Sequence, residues 1–367
     1  MAPYRRSQPS LATVEKACHI LKRAAQGSGR WTLSQLAGEC GIEKTAAFRL
    51  VHTLAEQGLL RRVDQRHYVS QVSWQGQDRL RLGFAQQGSR SSFSRSVTEG
   101  LRWAAQRRGI DLVLFDNAES GALAYRNAKR MVGAGVQVAV QFQVVQRMAA
   151  RVAELYAEKE IPLIAVDIPH PGASYFGIDN YRAGQMAGEA LCRWALRHWP
   201  DGPEELVLLE MTRAGSLPNS RLIAIEDTMR DRFGRGLRMT RLDTKGDFAS
   251  GYEVVRAYLR RCPSRRTLLS SVTERALHGG VNAFEEAGRS AQLAALGIGG
   301  LEEIRREIGR PGSPIIGTVS AFPERYGDAI LDLAFGAMQG LALPSATYAA
   351  LAFLDAESLP HHYPLEC

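Results

Sequence analysis

The stretch Leu82–Asn117, "LGFAQQGSRSSFSRSVTEGLRWAAQRRGIDLVLFDN", places a helical pattern between two short apolar runs. "RLGFAQ" and "DLVLFD" carry almost no polar alternation, whereas Phe93 to Arg108 between them reads as a helix. Strands without alternation are buried on both faces, the condition of parallel strands in β–α–β units. The pattern continues through a helix at Ala122–Met131, the run "VQVAVQF", a helix from Arg147 to Glu158, and "PLIAVD". A second series follows, "ELVLLEM", "RMTRLDT", "TLLSSV", "LAALGIG" and "PIIGTVS", with helical sequence between the runs. Two successive series predict an α/β fold of two similar lobes with parallel sheets. Ligands of open α/β sheets sit beyond the carboxyl ends of the strands, so facing lobes predict a ligand cleft.

The bulk composition agrees with a soluble globular chain. At 367 residues it is long for one domain, and 45% hydrophobic with 23% charged residues is ordinary for packed cores. No apolar run is long enough to span a membrane, and "MAPYRRSQPS" has charge without the apolar stretch of a secretory leader. Cys18, Cys40, Cys192, Cys262 and Cys367 stand singly, which reads as reduced, buried thiols in a cytoplasm rather than a disulfide frame or a metal site. The net charge of +8 is unevenly spread: through Leu80 there are 12 Lys/Arg against 6 Asp/Glu. Basicity concentrated there points to a polyanion, nucleic acid before membrane, against the plainer reading of a solvated basic face.

That basic segment has the layout of a DNA reader. A first helix is expected from Leu11, with Leu11, Val14, Ala17, Cys18 and Leu21 at helical spacing, ended by "QGSGR". Thr32 and Gln35 make a capping box for a short second helix, and Gly41 suits a tight turn. A third helix is expected from about Glu43 to Gln57, with Ile42, Ala46, Leu50 and Leu54 inward and Gly58 closing it. Its outward residues are Lys44, Thr45, Phe48, Arg49 and His52. Lys44 and Thr45 would meet base edges, and Arg49 a guanine or a phosphate. "LLRRVDQRHYVSQ" then predicts a wing of two strands with Arg61, Arg62 and Arg66 suited to phosphates. The segment closely resembles the winged helix-turn-helix of IclR-type regulators, through Leu33, Leu36, Ala37, Gly41, Ile42, Arg49, Leu54, Gly58, Leu59 and Leu60. Thr45-Ala46 departs from the Ser-Thr usual there.

The larger segment resembles type 1 periplasmic sugar-binding proteins and the effector domains of LacI-type regulators. The resemblance runs from Arg81 to about Ala356, through the opening stretch, "IPLIAVD", "FGIDNYRAGQMAGEAL" and "NSRLIAIEDTM". It implies ligand contacts from Ser92 and Phe93 after the first strand, Asp167 at the end of the fourth, and Arg221 from the second lobe. An aromatic platform, a carboxylate acceptor and an arginine donor suit a polyol. The chain departs from the pattern in the second lobe. Asn-Asp-x-x-Ala has become Val272-Thr273-Glu274-Arg275-Ala276, which puts Thr273 at the site. Gly-Phe-Asp has become Gly297-Ile298-Gly299, which removes a carboxylate at Gly299. Ala321 and Phe142 stand where polar residues are frequent. The expected ligand is therefore a modified or less hydroxylated sugar or another small metabolite, unless the site is degenerate. "VSQVSWQGQDR" lacks the Pro-Asn-Ala-Ala-Arg type of hinge helix.

A rival reading makes Asp167, Asp179 and His170, in "VDIPHPGASYFGIDN", an acid/base set. Asp179-Asn180, however, directly precedes a helix and reads as its cap, and His170 lies between prolines in a turn where a surface position is the default. No hydrolase, zinc-protease or phosphate-loop motif occurs, and no catalytic residue, metal or cofactor is expected. The reading adopted is a cytoplasmic transcription regulator that binds a double-stranded DNA operator and a sugar-like effector, as a homodimer, with no membrane partner. Its domains are expected at 1–75 for the winged helix-turn-helix, 76–80 for a linker and 81–367 for the two-lobed part. The alternative is a DNA-binding protein whose degenerate lobes only dimerise.

Overall fold

The structure is a computed structural model that describes residues 11–25, 30–70, 80–143, 145–263 and 265–364. Most of the expected linker at 76–80, and most of "VSQVSWQGQDR" and "QGSGR", lie outside the described residues, as does Cys367. The chain divides into two compact units at Arg79/Leu80.

The first unit holds α1 (Ala12–Ala25), β1 (Trp31–Thr32), α2 (Leu33–Glu39), α3 (Lys44–Glu56), β2 (Leu60–Arg62) and β3 (His67–Ser70). The capping box forms: the Gln35 N–H donates to Thr32 Oγ1 at 3.3 Å, and the Thr32 N–H donates to Gln35 Oε1 at 2.9 Å. Gly41 takes the left-handed turn conformation, φ +64°. The wing is three-stranded, because β1 pairs antiparallel with β3 beside β2. Two expected faces are rotated. On α1 the buried residues are Ile20 and Ala24, while Leu11 and Val14 are exposed. On α3 the fully buried residues are Ala47, Val51 and Leu54, while Ala46 and Leu50 pack half-buried at the edge of the same cluster, so the centre of each face turns by one residue from the expected stripe.

The second unit carries two six-stranded sheets. The first lobe opens with β4 (Arg81–Gln86), α4 (Ser92–Arg108), β5 (Asp111–Asp116), α5 (Gly121–Gly133), β6 (Val138–Gln141), α6 (Ala149–Ala157), β7 (Leu163–Val166) and β8 (Ser174–Gly177). The chain then crosses to α7 (Asn180–His198), β9 (Glu205–Glu210), α8 (Ser216–Phe233), β10 (Arg238–Asp243), α9 (Phe248–Leu259), β11 (Thr267–Ser271), α10 (Glu274–Glu286), β12 (Leu293–Gly299), α11 (Glu302–Ile308) and β13 (Ile315–Ser320). It returns through α12 (Tyr326–Met338) and β14 (Ala346–Tyr348), and crosses again to β15 (Ala352–Leu354) and α13 (Leu359–His362). The sheet orders are β14-β8-β7-β6-β4-β5 and β10-β9-β11-β12-β13-β15; all pairings are parallel except β13 with β15.

The lobes are therefore not simply successive. β8 was not expected, and α12 with β14 complete the first lobe from the far end of the chain. Helix–helix approach in the second lobe depends on a missing side chain. A Cβ at Gly184 on α7 would lie 2.1 Å from the Arg221 carbonyl oxygen on α8. That closeness sets the backbone that carries Arg221. Gly184→Ala is expected to push the helices apart and cost roughly 1–3 kcal/mol, the usual range for overpacking, read as a lower urea midpoint of the second unit with an unchanged slope.

Candidate functional site

On the first unit, Lys44, Thr45, Phe48, Arg49 and His52 all lie exposed on α3. Glu43 caps that helix: its carboxylate accepts from the N–H of Thr45 at 3.0 Å and of Ala46 at 3.1 Å. Those bonds hold its carboxyl below the usual range. Among the described residues no carboxylate stands within ion-pair distance of Lys44, Arg49, Arg61 or Arg66, whereas His52 has Glu56 at 3.4 Å. Arg62 is engaged differently from expectation. Its guanidinium turns back onto the wing, donating from Nε to the Asp64 carbonyl at 3.1 Å and also to the Gln65 carbonyl. Asp64 in turn accepts from the N–H groups of Arg66 and His67, which brings its carboxyl down to about 2. Arg62 thus braces the wing tip, while Arg61 and Arg66 have no carboxylate partner among the described residues.

In the second unit the ends of the parallel strands converge on one cleft enclosing about 810 Å³ of space, part of it open to solvent. Its place, beyond the strand ends of two facing lobes, is where doubly wound folds hold small molecules. The first lobe contributes Phe93 after β4, Phe142 after β6 and Asp167 after β7; the second contributes Arg221, Thr273 and Gly299. Six of the seven expected ligand residues therefore meet. Ser92 does not: its hydroxyl is buried away from the cleft, and its neighbour Ser91 lines the wall while capping α4 through the Ser94 N–H. Phe93 is held edge-on by Phe142 and Tyr326, at centroid distances of 6.2 and 5.9 Å. The interior is otherwise apolar, with Ile168, Ile178, Met211, Val272 and Ile298.

The polar centre of the cleft is built around Arg221. Its guanidinium donates from Nε to Asn180 Oδ1 at 3.0 Å, from a terminal nitrogen to the same oxygen, and from the other to the Val272 carbonyl at 2.7 Å. Asp167, across the seam, accepts the Ile178 N–H at 3.3 Å. Burial pushes its carboxyl up to about 7, although the charge of Arg221 pulls the other way. Its backbone is also costly, with φ +57° in the left-handed region. Strained geometry and a desolvated carboxylate at a cleft are together a mark of a functional position.

A carboxylate from another position stands beside Gly299, as part of the wall. Glu274, at the first turn of α10, is buried in the same wall, and its two oxygens accept the N–H groups of Gly300 at 3.0 Å and Leu301 at 2.6 Å, with the Thr318 hydroxyl donating as well. A Cβ at Gly297 would stand 2.5 Å from Glu274 Oε1 and one at Gly299 3.0 Å from Oε2, so the glycines leave the space that the glutamate fills. Sequence reasoning missed this residue because a glutamate opening a helix reads as ordinary dipole compensation. Thr273 is likewise committed: its hydroxyl donates to the Gly246 carbonyl at 2.8 Å and accepts from the Ala276 N–H.

The supposed acid/base set is dispersed. Asp179 caps α7, accepting from the Arg182 N–H at 3.0 Å. His170 is buried and not on the surface as expected; its Nδ1 pairs with the Ile168 carbonyl, and burial brings its imidazole down to about 4. Cysteines also depart from expectation: of the four described, all free, only Cys192 is buried.

These features define a two-lobed α/β binding unit on one chain with a winged helix-turn-helix. Residues 82–342 match the periplasmic binding protein domain family, to which the chain belongs, and residues 13–64 match the IclR helix-turn-helix domain. Similar solved structures include an ABC transporter periplasmic solute binding protein from Actinobacillus succinogenes 130z with bound D-allose. It is 14% identical, covers 77% of this chain and 99% of its own, and has a TM-score of 0.69. The binding protein of the arabinose ABC transporter from Shewanella sp. ANA-3, bound to L-arabinofuranose, is 18% identical over 77% and 94% at 0.67. A Mycobacterium smegmatis protein in complex with β-D-fucofuranose is 20% identical over 78% and 94% at 0.70. At these identities what is shared is the fold. Comparison with the curated proteins finds no match. No helix among the described residues is long and apolar enough to cross a membrane.

The raised carboxyl of Asp167 has a testable sign. A carboxyl whose folded-state value lies above its unfolded one contributes stability that is fully present below about 4 and lost as pH rises through about 7. Asp167→Asn removes that loss and better tolerates the left-handed backbone. The variant is expected to gain stability over the native protein as pH is raised from 5 to 8, by up to a few kcal/mol, in paired thermal unfolding curves without ligand.

Proposed function

We propose that this protein is a transcription regulator: the helix-turn-helix unit binds an operator, and the two-lobed unit binds a small sugar-like effector that changes operator affinity. The observation that carries the reading is the cleft centre, where a desolvated carboxylate at Asp167 faces a positioned guanidinium at Arg221 beside the aromatic face of Phe93. That set suits hydroxyl groups and a sugar ring, and the similar binding proteins named above hold D-allose, arabinofuranose and fucofuranose. The contacts proposed for ligand are Phe93, Phe142, Asp167, Arg221 and Gly299, with Ser91 in place of Ser92. The domain limits proposed are 1–75 and 81–367.

The DNA contacts proposed are Lys44, Thr45, Phe48, Arg49 and His52 at the groove, with Arg61 and Arg66 on phosphates. A homodimer would present two such faces to a palindromic site. In this reading the lobes bind the effector without turning it over, with Asp167 lining the cleft and Asp179 capping α7. The proposed setting is the cytoplasm, where operator DNA lies.

Selection of bound genomic fragments supplies the operator for a titration by fluorescence anisotropy. Arg49→Ala is expected to weaken operator binding by about 1–3 kcal/mol and to relax discrimination at one base pair. Arg61→Ala is expected to weaken all sequences alike and to lower the salt slope by about one. Binding that does not depend on salt defeats the DNA half of the proposal. Operator binding that no sugar or polyol alters, with no thermal stabilisation by any of them, favours lobes that only dimerise.

A further inference from the structure

The rim of the cleft differs in character from its apolar interior. Arg213 after β9, Lys245 after β10 and Arg275 at the start of α10 all border it, from three neighbouring strand ends of the second lobe. Arg213 and Arg275 converge on one carboxylate, that of Glu119 in the first lobe: Oε2 is 3.2 Å from Arg213 and Oε1 is 3.8 Å from Arg275. Among the described residues no carboxylate lies within ion-pair distance of the Lys245 ammonium. Asp247 also feels Arg275 and Arg213, but it is committed as the cap of α9, accepting the Ser250 N–H at 2.8 Å. The Glu119 carboxylate therefore pairs with two of the three cations on this rim.

Glu119 is put there at a cost. Ala118 and Glu119 are consecutive non-glycine residues in the left-handed region, φ +45° and +57°. The turn is fixed by Asp116, which accepts the Ala118 N–H at 2.8 Å, and by the Glu119 N–H donating to the Gln87 carbonyl. Strain of this kind persists where the surrounding structure imposes it, and it concentrates at ligand clamps. A seated carboxylate on paired guanidinium groups is the geometry by which proteins hold acidic ligands.

We infer that the effector is an acidic sugar, a monosaccharide-sized ligand whose single anionic group is received by Arg213, Lys245 and Arg275 in the place that Glu119 now holds. The inference rests on the reading of the cleft as an effector site and specifies the class of ligand. The anion meets the cationic rim while the less hydroxylated side of the ring lies against Val272, Met211 and Ile298, where hydroxyl partners are few. Arg221 and Asp167 then take the remaining hydroxyls at the floor. A carboxylate and a phosphate share this chemistry, and the rim itself is met by a carboxylate.

The test is calorimetric titration of the full chain at fixed ionic strength with matched sets: glucose, glucuronate and glucose 6-phosphate, and galactose, galacturonate and galactose 6-phosphate. An acidic member is expected to bind at least tenfold more tightly than its neutral counterpart, with the preference shrinking as salt rises. Arg213→Gln with Arg275→Gln is expected to reduce the preference of acidic over neutral sugar to about twofold or less. Glu119→Gln removes the internal competitor and is expected to tighten the acidic ligand several-fold. Tighter binding of uronate than of phosphate assigns the carboxylate; the reverse order assigns the phosphate. Neutral sugars that bind as well as or better than the acids overturn the inference but leave the effector-site reading standing. Weaker binding of the acid to Glu119→Gln makes Glu119 a clasp across the lobes, which also overturns it. If no member of either set binds, the effector-site reading fails and this inference with it.

Discussion

The second unit is organised around a charge that has been taken out of water. A buried guanidinium without partners costs several kcal/mol, and breaking such an arrangement typically costs about 3–5 kcal/mol. Arg221 meets that demand with Asn180 at the start of α7, the Val272 carbonyl at the end of β11, and the field of Asp167 from the first lobe. Each partner sits at a place where the chain changes element or lobe. Asn180 follows the first crossing, Val272 follows a strand, and Asp167 leaves β7 in a left-handed conformation. The same hydrogen bonds that satisfy the guanidinium therefore fix the floor of the cleft, and only a glycine at 184 lets α7 come close enough to α8 for this to happen.

Around that floor the carboxylates divide by burial into different tasks. Glu274 is enclosed and spends its oxygens on Gly300, Leu301 and Thr318, so it shapes the wall formed by β12 and β13. Asp167 keeps one oxygen without a protein donor among the described residues, and its raised value means that a ligand able to donate hydrogen bonds is rewarded by the charged form it stabilises. Glu119 is partly exposed and pairs with arginines that are themselves partly exposed, so water screens the interaction and its net worth is about 1 kcal/mol or less. A pair that weak is exchangeable, which suits a rim.

The parallel strands were legible because short apolar runs between helical patterns have few other causes: "LGFAQ", "LVLLE" and "TLLSS" all became central strands. β8 was hidden because "SYFG" is short, mixed and surrounded by turn residues, and it takes its strand character from neighbours on both sides, β7 and β14. The return of α12 and β14 to the first lobe is a matter of topology, to which local patterns are blind. At the site, Phe93, Phe142, Asp167, Arg221, Thr273 and Gly299 were placed by the resemblance to the sugar-binding proteins, and the fold brings them to one cleft. Ser92 failed by one residue, because at a helix start successive side chains point in different directions. Glu274 and Glu119 were invisible for a deeper reason: each acts through a partner far away in sequence, Thr318 for one and Arg213 and Arg275 for the other. The one-residue rotation of the α3 face shows the same limit, since Ala46 and Ala47 are equally apolar and only packing chooses between them.

Any coupling between effector and operator must pass through a difference in the effector's affinity for two conformations, since a ligand that binds both equally shifts nothing. The cleft is suited to such a difference because its contacts come from both lobes: Phe93 and Asp167 from one, Arg221 and the cationic rim from the other. A ligand that touches both sets gains its full contact energy only when the lobes are together. The ion pair across the rim is too weak by itself to hold them. The free energy of coupling then comes mainly from the ligand, and reciprocity follows: operator DNA must alter effector affinity by the same factor by which effector alters operator affinity.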